Sequence, residues 1–71
     1  MAVVSNRERI YDFICAFIAD RGYSPSYREI GDGVGIKSAS TVSFHLRKLA
    51  DEGRIGYVRD SPRTIHLNEK E

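Results

Sequence analysis

Seventy-one residues, 41% hydrophobic and 30% charged, suit one small domain near the lower size limit at which a lone core holds a fold. No apolar run approaches the ~20 residues needed to span a bilayer, and Met1–Ser5 lacks the basic and apolar regions of a secretory signal. Cys15 is the single cysteine, which excludes an internal disulfide and fits a reducing, cytoplasmic setting.

The net charge of +1 is unevenly distributed. It is −1 over residues 1–36 and +3 over residues 37–67, so the positive charge that a phosphate-binding surface requires lies in the second half. Ser5-Asn6-Arg7-Glu8 has the pattern of a capping box, with the serine accepting a backbone N–H and the glutamate reaching back. Ile10, Phe13, Ile14, Phe17 and Ile18 then repeat at the spacing of one apolar helical face, which predicts a helix over 6–21 ended by Gly22. Cys15 lies off the centre of that face, as a small residue at the core edge.

Tyr23-Ser24-Pro25 reads as an extended connector, since the residue before proline avoids the helical region. A second capping box, Ser26-Tyr27-Arg28-Glu29, opens a short helix over 27–34 anchored by Ile30 and Val34. Gly31 and Gly33 are poor helix formers whose presence points to close packing against a neighbouring helix. Gly35-Ile36-Lys37 reads as a tight turn with Ile36 as its apolar plug.

Ser38 or Ser40 caps a third helix over 39–52, stopped by Gly53. At about 100° per residue, Val42, Leu46 and Leu49 face inward with Ala50 beside them. Ser40, Ser43, Phe44 and Arg47 face outward, with Thr41 and Lys48 along one edge. His45 lies beside the inner face as a satisfied boundary residue. After Gly53 the period changes to two: Ile55, Tyr57 and Arg59 alternate with Gly56 and Val58, Asp60-Ser61-Pro62 signals a turn, and Thr64–Leu67 alternates again. This predicts a two-stranded hairpin over 54–67 and a frayed, charged tail over 68–71.

The fold class that follows is mainly α with a small β-hairpin, in the order of a three-helix winged helix-turn-helix, with one domain over residues 1–71. In that arrangement the helix after the turn enters the major groove of double-stranded DNA, and the hairpin, or wing, reaches the backbone or minor groove. The outward side of the reading helix must be small and able to hydrogen-bond at close approach. Ser38, Ser40, Thr41 and Ser43 meet that requirement, and Phe44 offers an apolar contact to a thymine methyl group.

Arg47 and Lys48, further along the helix, fit phosphate better than guanine. Ser24, Ser26, Tyr27 and Arg28 lie where a helix N-terminus favours phosphate, and Lys37, Arg59 and Arg63 complete the phosphate-contacting set. No catalytic residue, metal or cofactor is expected: His45 and His66 lack partner ligands, and no glycine-rich phosphate loop follows a strand. The alternative function for the same fold is an adaptor that binds a repressor or polymerase, with Phe44 as its interface anchor.

Arg21-Gly22-Tyr23-Ser24-Pro25-Ser26-Tyr27-Arg28-Glu29-Ile30-Gly31-Asp32 resembles the second-helix segment of LexA repressors, particularly the actinobacterial type. Gly35-Ile36-Lys37-Ser38-Ala39-Ser40-Thr41-Val42 resembles their turn into the reading helix, and Pro62-Arg63-Thr64-Ile65 the close of their wing. The similarity spans residues 5 to 67. It implies a DNA-binding transcriptional repressor of the SOS response to DNA damage, reading a half-site of a palindromic operator, with base contacts at Ser38, Ser40, Thr41, Ser43 and Phe44.

Phe44 departs from the similar proteins, which carry Gly, His or Glu there, so the operator sequence is expected to differ while the docking mode is kept. LexA repressors continue into a self-cleaving domain with a serine–lysine dyad, which also dimerises, and nothing in these residues supplies either. The expectation is an excised domain or a natural short protein of a phage or mobile element. Tight binding would then need a homodimer on DNA or a partner protein. No membrane or small-molecule substrate is expected.

Overall fold

The computed structural model describes residues 5–58 and 63–68. Helices α1 (Asn6–Arg21), α2 (Tyr27–Val34) and α3 (Ala39–Asp51) precede two short strands, β1 (Ile55–Gly56) and β2 (His66–Leu67). The strands pair antiparallel, with Ile55 opposite Leu67 and Gly56 opposite His66. The molecule is thus mainly helical with a small hairpin, a winged helix-turn-helix in which α2 and α3 flank the turn.

The helix ends follow from local chemistry. Ser26 and Glu29 complete a reciprocal box at the start of α2: Glu29 N–H donates to Ser26 Oγ at 3.1 Å, and Ser26 N–H donates to Glu29 Oε1 at 2.8 Å. The box expected at α1 forms by half. Ser5 Oγ accepts from Glu8 N–H at 3.2 Å, but the Glu8 carboxylate turns to Arg54, which donates to it from both guanidinium arms at 2.6 and 3.2 Å. A charge-assisted fork outcompetes a single bond to a backbone N–H that water can also serve. Ser38, and not Ser40, caps α3, accepting from Thr41 N–H. Gly22 and Gly35 close α1 and α2 at φ 82° and 80°, a region that costs glycine no Cβ clash. α3 stops at Asp51, one residue earlier than the pattern suggests, with Glu52 as its cap.

All three helices and the hairpin share one core. Ile10 and Ile14 from α1, Ile30 and Val34 from α2, and Val42, Leu46 and Leu49 from α3 meet Ile55 and Ile65 from the hairpin. Seven of these, Ile10, Ile14, Ile30, Val42, Leu46, Leu49 and Ile55, have at most 1% of their surface exposed. Each such side chain contributes about 1.5–3 kcal/mol relative to exposure. The two interior glycines of α2 serve different contacts. Gly33 lies under the Phe13 ring of α1, a helix–helix approach as its residue type suggests. Gly31 faces its own turn, where a Cβ would stand 2.6 Å from the Ile36 carbonyl oxygen.

The strands are shorter than the alternation predicts. Past Gly56 the ladder is carried by a side chain: Val58 N–H donates to Thr64 Oγ1 at 2.9 Å, and that hydroxyl donates back to the Val58 carbonyl. Arg63 has φ 59°, a left-handed conformation that breaks the strand before Thr64. The expected Asp60-Ser61-Pro62 turn and Arg59 lie outside the described residues. Asn68, read as the start of a frayed tail, is docked. Its N–H donates to the Arg54 carbonyl at 3.0 Å, and its side-chain amide donates to the Gly53 carbonyl. His45 is half-buried as expected but not satisfied, because its Nδ1 is buried without a hydrogen-bond partner.

Candidate nucleic-acid interface

The inward side of α3 is held by Val42, Leu46 and Leu49, so the helix's rotation is fixed and its other side must face solvent. On that side Ser38, Ser40, Phe44, Arg47 and Lys48 are exposed, while Thr41 and Ser43 are half-buried at the edges. The Phe44 ring, 52% exposed, is flanked edge-on by His45 at 5.4 Å and by Lys48 Nζ at 5.5 Å from its centroid. A depression beside it is lined by Tyr27, Ala39, Ser40, Ser43, Phe44 and Arg47. A second depression, on the other side of the first turn of α3, is bordered by Arg28, Asp32, Lys37 and Ser38 and shares Tyr27 with the first. The structure therefore brings the predicted base-reading residues and Tyr27, Arg28 and Lys37 to one face.

The basic side chains divide into two groups. Arg7 pairs with Glu52 at 3.5 Å, Arg21 with Asp20 at 3.4 Å, Arg54 with Glu8, and Arg63 with Glu29. Arg9 donates to the Val34 carbonyl at 2.7 Å, closing the C-terminus of α2. In contrast, Arg28, Lys37, Arg47 and Lys48 have no acidic partner among the described residues. Apart from Arg9, spent on the end of α2, the unneutralised positive charge thus surrounds α3 and the start of α2, while Arg7, Arg54 and Arg63 tie separate elements together and Arg21 pairs with its neighbour in α1.

Two residues expected at phosphate lie in a joint between wing and helix. Ser24 is buried; its hydroxyl donates to the Pro25 carbonyl at 2.9 Å and accepts from Ile65 N–H at 3.2 Å. Arg63 donates from both arms to the Glu29 carboxylate and also to the Ser24 carbonyl, with its guanidinium 5.1 Å from the Tyr23 ring centroid. Those hydrogen bonds, from Arg63 first and from the Ser26 backbone second, hold the Glu29 carboxyl below its ordinary value. The Arg54 guanidinium lowers Glu8 in the same way. The Ser26 hydroxyl is occupied as a cap, and the Tyr27 ring packs edge-on against Tyr57 at 6.4 Å.

Sequence reasoning missed Glu29, Tyr23 and Tyr57 as parts of this joint. No local signal marks them, because their partners lie more than 25 residues away along the chain or on another element. No helix among the described residues is long and apolar enough to cross a membrane.

A family model described as the LexA DNA binding domain matches residues 2–64. The LexA repressor of Brevibacillus brevis is 44% identical over 68 residues, covering 94% of this chain and 33% of the relative. The LexA repressor of Listeria monocytogenes is 40% identical over 67 residues, covering 94% and 33%. That of Staphylococcus epidermidis is 40% identical over 65 residues, covering 92% and 32%. The chain spans about a third of the length of these relatives. With nearly all of its length matched by that family model, and with the helix-turn-helix and wing in place, the chain belongs to the LexA DNA-binding domain family.

Proposed function

We propose that this domain acts as a transcriptional repressor module that reads one half-site of a palindromic operator in double-stranded DNA, with α3 in the major groove. Bases are contacted by Ser38, Ser40, Thr41, Ser43 and Phe44. Phosphates are contacted by Ser26, Tyr27, Arg28, Lys37, Arg47, Lys48 and, from the wing, Arg59. Ser24 and Arg63, held inside the wing joint, position the wing and touch the backbone at most from its edge. A second copy, or a partner protein, supplies the other half-site contact, since linked modules gain greatly in effective concentration.

The observation that carries this reading is the sorting of charge: of the five described cations with no acidic partner, Arg9 is spent on the Val34 carbonyl and the other four flank the outward side of α3. Hydroxyls dominate the first turn of that helix, where close approach to base edges requires short polar side chains. Selection from a random duplex library at low salt tests it, followed by footprinting of the enriched sequence. A short enriched motif with two-fold symmetry is the expected result. Failure to enrich any sequence at low salt overturns the reading.

A further inference from the structure

Three large hydrophobic side chains are exposed among the described residues: Tyr23, Phe44 and Val58. Tyr23 is occupied by the Phe17 ring edge-on at 5.6 Å and by Arg63, and Val58 belongs to the wing ladder through its backbone. Phe44 differs in that its ring contacts come only from its own helix, and among the described residues no other element packs a ring or a backbone ladder against it. It points away from the core, yet its ring is held in place between His45 and Lys48. The Lys48 ammonium lies over the ring, yet half of the side chain stays exposed and it lines the depression it shares with Tyr27 and Ala39.

That depression is lined by two aromatic residues and an alanine, Tyr27, Phe44 and Ala39, together with the polar residues Ser40, Ser43 and Arg47. It therefore suits a small apolar group presented on a polar, anionic framework. In the major groove, the group of that kind on an unmodified base pair is the C5-methyl of thymine. Resting on the DNA-reading function proposed above, we propose that the Tyr27–Ala39–Phe44 depression is a thymine-methyl receptor that fixes one base pair of the operator. Arg47 at its rim would hold the phosphate of the same strand.

The test uses the 71-residue chain and the duplex selected as described above. Each thymine of one half-site is replaced in turn by uracil, which removes only the methyl group and leaves every hydrogen-bonding group of the pair. One position is expected to lose about fourfold in affinity, the effect of burying one methyl group. Phe44→Ala should abolish that uracil penalty while keeping the response to salt. Phe44→Leu should restore part of it, and the thermal midpoint of both variants should stay near that of the parent because the residue is exposed. Uracil tolerated at all positions, or an equal penalty in Phe44→Ala, overturns the methyl receptor and leaves operator binding standing. A preference for 5-methylcytosine over thymine at the sensitive position overturns thymine as the occupant. Absence of any selected sequence overturns the underlying function instead, so the two failures are distinct.

Discussion

Arg63 and Glu29 meet across 34 residues of chain as a fork, Nη1 to Oε1 at 3.0 Å and Nη2 to Oε2 at 3.1 Å. The same Oε1 accepts from Ser26 N–H at 2.8 Å, so one carboxylate both closes the capping box of α2 and anchors the second strand of the wing. Planar forks of this kind carry geometric specificity as well as attraction. The buried Ser24 hydroxyl, bonded to Ile65 N–H, fastens the same strand one step further on. The angle between wing and helix-turn-helix is therefore set by side chains from both.

Glu29→Gln retains an acceptor for Ser26 but removes the charge that the guanidinium meets, and Arg63→Met retains an apolar stem beside Tyr23 but removes the fork. Either variant should lower the thermal midpoint by a few degrees and weaken DNA binding a few-fold, with the preferred sequence unchanged. The double variant should lose little more than either single one, because both remove the same contact. Thermal denaturation followed by binding titration of the four proteins checks this. Fully additive losses would mean that the two residues act separately.

The arginine partners also set the response to acid. Glu29 and Glu8 are both lowered from the ordinary 4.5 by hydrogen bonds from Arg63 and Arg54. As pH falls, such carboxylates take up protons in the unfolded chain before they do so in the native one. Their contribution is complete above the unfolded value and is lost as pH drops through the lowered native values. The thermal midpoint should therefore hold from pH 7 to about 5 and decline below about 4.5. A Glu8→Gln, Glu29→Gln protein should start lower and decline less steeply. Circular-dichroism melts at a series of pH values measure both slopes, and parallel slopes would assign the acid response to other groups.

The helices were legible in the sequence because their determinants are local. The period of Ile10, Ile14 and Phe17, the box at Ser26 and Glu29, and glycines just past Arg21 and Val34 all act within four residues. The outward direction of Phe44 was legible for the same reason, once Val42, Leu46 and Leu49 define the inward side. What distinguishes Arg28 from Arg63, or Ser26 from Ser24, is not local. Each pair has the same residue type close to the same helix start or wing, and only the tertiary partner decides which is committed to the fold. The Glu8 half of the capping box at Ser5 was lost for this reason too, since Arg54 reaches Glu8 from 46 residues away. The wing was legible as a hairpin but not in length, because a Thr64 side chain replaces ladder bonds that alternation assigns to backbone.

Gly31 tests how tightly the turn between α2 and α3 is built. The Ile36 N–H donates to the Gly31 carbonyl at 2.8 Å, and the Ile36 carbonyl lies where a Gly31 Cβ would be. Backbone cannot swing aside as a side-chain tip can, so Gly31→Ala must open the turn and shift the start of α3. The gain in helix propensity, about 1 kcal/mol, opposes an overpacking cost of about 1–3 kcal/mol. Net destabilisation is expected in urea titration, with DNA affinity falling further than stability alone explains. Gly33→Ala meets only the movable Phe13 ring of α1 and should be milder. The reverse order would mean that the helix–helix contact, and not the turn, is the tighter constraint.

The two groups of cations differ in what salt should reveal. A phosphate neutralised by Lys or Arg releases condensed counterions, so log affinity falls with log salt at about 0.9 per contact on duplex DNA. Arg28, Lys37, Arg47 and Lys48, unneutralised by any described acid, should together account for a slope of roughly −3 to −4. Lys37→Ala or Arg28→Ala should reduce that slope by about one and weaken all sequences alike. Arg7→Met removes an arginine already paired with Glu52, so it should leave the slope unchanged. The comparison separates local neutralisation from net charge, because all three variants lose one positive charge. If Arg7→Met flattened the slope as much as Lys37→Ala, binding would follow the overall charge of the domain and the face around α3 would have no special part in it.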